Sequence, residues 1–169
     1  MENDFIYKHE EGKIEIIDAE KIEGCECFDV KEEEVADIRK LGEEMIKLCV
    51  EKGGLGLSAP QVGVFKKMFV WMNAQNSFQI VMNPKFFPDK KTTNVVEGCL
   101  SYPGKQFYTK RYKTGNGSYD GLNPNEKTVI KRYFVKLSGE RALIWQHEID
   151  HLYGKTPNTI GEIVSWDEK

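Results

Sequence analysis

Two histidines four residues apart, His147 and His151, form the part of the sequence best suited to chemistry. Residues at this spacing lie on the same face of a helix, so both imidazoles can bind a single metal ion. Glu148 directly follows the first histidine and can reach a water on that metal without being a ligand. This H-E-x-x-H pattern is typical of hydrolytic metal sites. The alternative is a chance match on a buried helix whose histidines are satisfied by hydrogen bonds.

The third ligand of such a site is left open by the motif. In one class of zinc peptidases a histidine follows a glycine, and Gly154 fits, but Pro157 stands where that histidine is due. In another class a downstream glutamate serves, and here Glu162 and Glu168 lie in a segment without a helical pattern. Upstream, Cys99 ends a predicted strand. A thiolate and two imidazoles suit a tetrahedral divalent site, although an isolated cysteine can equally be a buried thiol.

The composition indicates one globular domain over residues 1–169. With 169 residues, of which 40% are hydrophobic, the chain can bury one sizeable core. A net charge of -3 gives no general attraction to nucleic acid or to an anionic membrane, so we expect neither as a partner. The sequence has neither an apolar run of about 20 residues, the length needed to span a membrane, nor a signal peptide, so we expect a cytoplasmic location.

The four cysteines are expected to be free thiols or metal ligands, because disulfides are rare in a reducing cytosol. Cys25 and Cys27 form a C-x-C pair that specifies little and is interpreted as two unpaired thiols. Cys49 lies on the apolar side of a predicted helix and is interpreted as a small core residue.

Hydrophobic periodicity predicts the elements that must position these residues. Apolar residues at three- and four-residue spacing predict a helix from about residue 31 to 51. A second helix, capped by Ser138, carries the histidines and runs to about Tyr153, where Gly154 ends it and Pro157 prevents its resumption. Strands are predicted at residues 13–18, 62–72, 78–82, 94–96, 108–119 and 128–135, with turns at 73–77, 83–84 and 102–104 and a loop at 120–127.

A glycine-rich segment, residues 54–61, connects the first helix to the strands. Its two glycines, spaced by one residue, allow close approaches that side chains would block. It lacks the further glycine or the lysine of phosphate-binding loops. A tight connection is the simple interpretation, but the side-chain amide of Gln61 could donate to a substrate oxygen.

Three segments together resemble the peptide deformylase family. Residues 54–61 are similar to its G-x-G-x-A-A-P-Q motif, residues 97–101 to its E-G-C-L-S motif, and residues 147–151 to its H-E-x-D-H motif. They occur in the family's order and with similar spacing. The resemblance implies an α+β fold in which antiparallel β-sheets pack around a central metal-binding helix.

The resemblance also implies the ligands and the ion. Cys99 becomes the third ligand beside His147 and His151. The site then holds one divalent ion per chain, natively Fe(II), which Zn, Ni or Co can replace. The implied reaction removes the formyl group from the N-terminal formyl-methionine of nascent polypeptides and releases formate.

The same resemblance assigns roles to other residues. Glu148 acts as general base and then acid, while Gln61 and the backbone N–H of Leu100 hold the oxyanion. The Gly56 backbone pairs with the substrate peptide as an added strand. The apolar pocket for the methionine side chain has four candidates, for which ordinary core packing is the equal alternative: Leu55, Val95, Leu143 and Ile144.

Several positions depart from the family pattern. Ser58 replaces the usual alanine, a small change expected to leave the chemistry unaffected. Glu140 occupies a first-turn helix position that is often apolar, which affects the polarity of the pocket. The family's N-terminal opening is not recognisable in residues 1–30, and the tail after Gly154 lacks the long basic helix with which some bacterial members dock on the ribosome. The resemblance is therefore to a short or divergent member, such as a phage carries.

The sequence also suggests a partner for two carboxylates near the motifs, and it leaves two alternative functions open. Arg111 is a candidate partner for both Glu97 and Asp150, since a buried carboxylate needs a partner. A metallopeptidase of the H-E-x-x-H type is the rival enzyme, but it would leave Cys99 without a role. The rival outside catalysis is an inactive module that binds formylated peptides.

Overall fold

Eight strands form two antiparallel sheets in the computed structural model, which describes residues 6–10, 12–123, 125 and 130–164. The strands are β1 (Gly56–Ser58), β2 (Met68–Met72), β3 (Phe78–Pro88), β4 (Thr92–Gly98), β5 (Gln106–Tyr112), β6 (Thr114–Leu122), β7 (Ile130–Ser138) and β8 (Glu162–Ile163). The first sheet has the order β1-β2-β3-β6-β7, and the second has the order β4-β5-β8. These sheets confirm the antiparallel α+β architecture.

The helices are α1 (Val35–Glu51), α2 (Glu140–Leu152) and the short α3 (Pro157–Ile160). Short 3-10 turns occupy Ala19–Lys21, Glu32–Glu34 and Ala59–Val62. The sequence predicts that the first long helix begins at about residue 31. In the structure the 3-10 turn Glu32–Glu34 comes first, and α1 begins at Val35. Among the described residues, no helix is both long and apolar enough to cross a membrane.

Helix α2 is the central element, because it packs against strands of both sheets. Trp145 anchors it: the ring is fully buried and meets Phe69, Trp71 and Tyr119 edge-on, with ring centroids 5.3–5.7 Å apart. Such edge-to-face contacts are favourable for aromatic rings. The part of α2 that follows Trp145 and carries His147 and His151 therefore has a fixed position and orientation.

Helix α1 supports the other side of the first sheet. Its buried residues Ile38, Leu41 and Met45 belong to a core cluster with residues of β1 and β2. Cys49 belongs to the same cluster and is fully buried, which confirms its prediction as a core residue. All four cysteines are free thiols, as predicted for the C-x-C pair.

The strand predictions need four corrections. The strand predicted at 62–72 begins only at Met68, because residues 59–62 form a 3-10 turn. The next strand does not stop at Asn83-Pro84: it continues to Pro88 through a register shift, with Asn83 at a φ of 47°. A bulge tolerates a proline because the ladder is already interrupted there. The region 108–119 is two strands in different sheets, divided at Lys113.

The fourth correction concerns residues 13–18, which form no strand within the described part of the chain. Ile17 donates its backbone N–H to the Gln61 carbonyl at 2.9 Å. The predicted loop at 120–127 begins later, since β6 continues to Leu122. Most of that loop, and the start predicted for the last strand at Thr128, lie outside the described residues.

The ends of α2 also differ in detail. Ser138 ends β7, and the N-cap is Gly139 with a φ of 57°, a conformation that favours glycine. At the other end, Gly154 terminates the helix with a φ of 68°, as predicted. Pro157 does not prevent a helix but begins α3, because proline suits the first helical turn.

Candidate metal centre and its cleft

Cys99, His147 and His151 bring three metal-ligating atoms together. The histidines lie on the buried face of α2, and Cys99 follows the end of β4. Their ligand atoms lie within 4.8 Å of one another. The Nε2 of His151 is 3.2 Å from the Nε2 of His147 and 3.4 Å from the Cys99 sulfur. The structure thus brings the three predicted ligands to one point.

Each histidine turns its other ring nitrogen to an oxygen acceptor. His147 Nδ1 lies 2.9 Å from a carboxylate oxygen of Glu97, and His151 Nδ1 lies 3.0 Å from the Lys155 carbonyl. An N–H at Nδ1 that donates to these oxygens leaves Nε2 as the lone-pair donor. With Nδ1 as the donor, both Nε2 atoms are directed to the common centre and can bind a metal once neither carries a proton.

Arg111, on β5, holds the carboxylate behind His147. It donates to Glu97 from Nε at 2.9 Å and from Nη2 at 2.6 Å, and it also pairs with Asp150. Thr109 donates to Glu97 at 2.6 Å. Burial alone raises the pKa of Glu97, but the hydrogen bonds from Arg111 and His147 outweigh it and keep that pKa well below its usual range. Both expected partners of Arg111 are confirmed.

The two buried imidazoles have opposite tendencies to carry charge. Burial lowers the pKa of His147, but Cys99 and Glu97 beside it outweigh burial and raise that pKa to about 10. The pKa of His151 falls well below its usual value, because the ring is buried and His147 lies against it. Binding of a cation between the two rings would displace the proton that His147 holds at its Nε2.

Glu148 lies beside this cluster but is not part of it. Its side chain is buried, and burial raises its pKa to about 7 against the opposing effect of His147. Its Oε2 makes no hydrogen bond to any described residue. A Cβ on Gly56 would lie 2.6 Å from Glu148 Oε1, so any larger residue at this position would force the carboxylate to move. Glu148 therefore has an oxygen available for a water or substrate.

Gln61 extends from the 3-10 turn after β1 to the other side of the cluster. Its Nε2 donates to Ser101 Oγ at 3.1 Å and approaches the Cys99 sulfur at 3.6 Å. Its Oε1 accepts from the backbone N–H of Ser58 at 2.9 Å and from the Ser58 hydroxyl at 3.0 Å. The donor end of the amide therefore faces the metal ligands.

A cavity of about 1380 Å³ opens over these groups. Its walls include Leu55, Gly56, Gln61, Cys99, Leu100, Leu143, Ile144, His147 and Glu148. The backbone N–H of Leu100 donates to no acceptor within the described part of the chain, so it is available for a ligand in this cavity. His151 lies behind His147 and is fully shielded from solvent.

The proposed pocket residues divide between two adjoining cavities. Leu143 lines both, Leu55 and Ile144 line the larger one, and Val95 lines only the second, of about 580 Å³. Glu140 is exposed and also lines both cavities. The two cavities therefore share a carboxylate at their boundary.

Several contacts at the site could not be assigned from the sequence. The Lys155 acceptor is a backbone carbonyl, which any residue provides. Ser101 belongs to the E-G-C-L-S motif, and its hydroxyl could have been considered as a partner for the amide. Of the rival ligands, Glu162 is exposed on β8 and stands outside the cluster, and Glu168 lies outside the described residues.

Comparisons with known proteins show which family this chain is similar to. A family model described as Polypeptide deformylase matches residues 15–159. The peptide deformylase of Thermodesulfovibrio yellowstonii is 37% identical over 122 residues, which cover 70% of this chain and 70% of that protein. The peptide deformylase of Finegoldia magna is 34% identical over 119 residues, which cover 69% of this chain and 70% of that protein.

Solved structures give the same result for the fold. The crystal structure of peptide deformylase from Thermotoga maritima is similar with a TM-score of 0.75 at 27% identity, covering 89% of this chain and 98% of that one. The corresponding structure from Thermus thermophilus has a TM-score of 0.74 at 27% identity, covering 85% of this chain and 81% of that one.

Proposed function

Because this chain belongs to the peptide deformylase family, we propose that it hydrolyses the N-formyl group of formyl-methionyl peptides and releases formate. The observation that carries the proposal is the convergence of Cys99, His147 and His151 beside the buried carboxylate of Glu148. A metal site with an adjacent unpaired carboxylate is suited to the hydrolysis of an amide.

The family is metal-dependent, and the residues present fit a divalent ion. Cys99, His147 and His151 would hold it through the sulfur and the two Nε2 atoms, since each Nδ1 already faces an oxygen acceptor. Soft sulfur and imidazole ligands suit Fe(II), Zn, Ni or Co. When bound, the ion acts as a Lewis acid and lowers the pKa of water toward neutrality.

Glu148 holds and moves the proton. Its free Oε2 can accept a proton from the attacking water while that oxygen bonds to the formyl carbon. The same carboxyl then delivers the proton to the nitrogen as the C–N bond breaks, so the products are formate and a free amine. A pKa of about 7 suits both roles near neutral pH.

Gln61 and Leu100 stabilise the charge that develops on the carbonyl oxygen. The Gln61 amide nitrogen faces the ligand cluster, and the Leu100 N–H opens on the same cavity. Donors fixed before the reaction stabilise an oxyanion without the cost of reorganisation, and one such donor contributes roughly 10²–10³-fold in turnover.

The substrate peptide binds along β1. This strand lies at the edge of the five-stranded sheet, so an extended peptide can pair with the backbone at Gly56. The first side chain then enters the pocket formed by Leu55, Leu143 and Ile144, and Val95 lines the adjoining cavity. We propose nascent polypeptides that carry N-formylmethionine, in the cytoplasm, as the substrates.

For the native ion we propose Fe(II), since the thiolate and two imidazoles are compatible with it. Such a centre is exposed to O₂, which can oxidise the iron or the sulfur. Iron-loaded protein prepared without air should therefore release formate fastest and lose activity in air, whereas nickel- or cobalt-loaded protein should keep it longer. A zinc form that outperforms fresh iron protein would exclude this choice of ion but not the reaction.

The reaction itself is tested by formate release from a formyl-methionyl peptide, beside the same peptide without the formyl group. Glu148→Gln should bind metal normally and lose roughly 10²–10⁴-fold in turnover. Glu162→Gln, which changes the rival downstream ligand, should leave turnover unchanged. Cleavage of internal peptide bonds would indicate the metallopeptidase, and binding of the formylated peptide without turnover would indicate the inactive module.

A further inference from the structure

Ser58 is the last residue of β1 and is completely buried beside Gln61. Both its backbone N–H and its hydroxyl donate to Gln61 Oε1, at 2.9 and 3.0 Å. An alanine here would keep the first hydrogen bond and lose the second. The replacement of alanine by serine, expected from the sequence to be without effect, therefore adds a donor to the residue that faces the metal ligands.

The backbone N–H of Ser58 decides which end of the Gln61 amide faces the site, because it can only donate, and the hydroxyl holds the same oxygen with a second hydrogen bond. An amide oxygen accepts two hydrogen bonds, whereas the amide nitrogen only donates. If the amide were flipped, its nitrogen would face the N–H of Ser58, donor against donor. With Oε1 held by Ser58, Nε2 is directed to Ser101 Oγ at 3.1 Å and to the Cys99 sulfur at 3.6 Å.

We propose that Ser58 is a positioning residue, whose hydroxyl fixes the Gln61 amide with its N–H groups toward the reacting carbonyl. The inference rests on the proposed function, because it assigns Ser58 a part in that reaction through Gln61. A second donor on Oε1 also polarises the amide, which makes the N–H on the far side a stronger donor. Ser58 itself lines neither cavity, so it acts only through Gln61.

A double-mutant cycle tests this coupling. Ser58→Ala should lower kcat roughly threefold to tenfold, the usual effect of one neutral hydrogen bond, and leave KM unchanged because Ser58 does not contact the substrate. In a Gln61→Ala background the same change should have no further effect on kcat. Ser118→Ala, which removes another buried serine hydroxyl on β6, is the matched control and should keep the wild-type kcat.

The position of the amide can be measured without turnover. In isotope-labelled, zinc-loaded protein, the side-chain NH₂ resonances of Gln61 are identified by their loss in Gln61→Ala. Ser58→Ala should shift these resonances and accelerate their exchange with solvent, while Ser118→Ala should leave them unchanged.

Three results would overturn the inference: a wild-type kcat in Ser58→Ala, a loss of kcat that persists in the Gln61→Ala background, or unaltered Gln61 resonances. Wild-type protein that releases no formate would instead refute the proposed function. The resonances would then still decide whether Ser58 holds the amide.

Discussion

Replacement of Arg111 by methionine tests the buried ion network that supports the metal ligands. The Arg111 and Glu97 side chains are only 5% and 2% exposed, and their closest N–O distance is 2.6 Å. Methionine has a similar length but no charge. Glu97 would then remain buried with only Thr109 and His147 as donors, and Asp150 would lose its ion pair.

The expected cost follows from leaving a charge buried without its partner. Breaking a buried ion pair by removing one partner lowers the free energy of unfolding by about 3–5 kcal/mol. At roughly 2–4 °C of melting temperature per kcal/mol for a chain of this size, this corresponds to about 6–20 °C. Arg132→Met provides the matched control, because Arg132 pairs with Asp120 at 3.0 Å but is 42% exposed. Its loss should cost about 0–1 kcal/mol.

Urea unfolding of metal-free protein measures both variants without a contribution from metal binding. The Arg111→Met midpoint should fall far below those of wild type and Arg132→Met, with similar slopes. The reasoning is refuted if the two variants lose the same free energy, or if Arg111→Met loses less than about 1 kcal/mol, the upper bound for an exposed pair.

Three further predictions concern single residues. Cys99→Ser should abolish stoichiometric metal binding, measured by metal content after dialysis; a folded variant that keeps one tightly bound ion would contradict its role as a ligand. Gly56→Ala should lower turnover by up to roughly 10²-fold without loss of metal, because its Cβ would displace Glu148; unchanged kcat would contradict this. The hydrogen bond from Tyr102 outweighs burial and, with those from Asn158 and Thr156, lowers the pKa of Glu23 below 4.5. The ionised Glu23 carboxylate thus stabilises the fold fully above the unfolded-state pKa, and this stabilisation is lost as pH falls through the folded-state pKa. The melting temperature of Glu23→Gln should therefore fall less between neutral and acid pH than that of wild type.

Much of the fold could be predicted from local patterns in the sequence. The periodic apolar residues of α1 and the end of α2 at Gly154 are local signals, and the structure confirms both. The bulge at Asn83, in contrast, depends on contacts with distant parts of the chain. Asn83 is held by hydrogen bonds to the backbone of Val30, 53 residues away, and to Asp120. A contact of this range has no local pattern, so the sequence predicts that the strand ends at the proline.

In the candidate metal site, too, part of the arrangement follows from local sequence and part from long-range contacts. Spacing on one helix places His147 and His151 together, but the choice of Cys99 came from the resemblance, because nothing local distinguishes a ligand cysteine from a buried thiol. The structure brings the end of β4 against α2 and so supplies the missing contact. The division of Val95 and Ile144 between two cavities likewise depends on how the second sheet meets α2.

The orientation of the ligands is a further property of tertiary structure. A histidine in an H-E-x-x-H pattern can present either ring nitrogen, and its partner at the other nitrogen decides which. Here Glu97 lies 50 residues before His147, while the acceptor for His151 is a backbone carbonyl four residues after it. Because Arg111 holds that glutamate, its charge reaches His147 through one carboxylate. Loss of Arg111 should therefore weaken metal binding as well as the fold, even though Arg111 lies outside the cluster of three ligands.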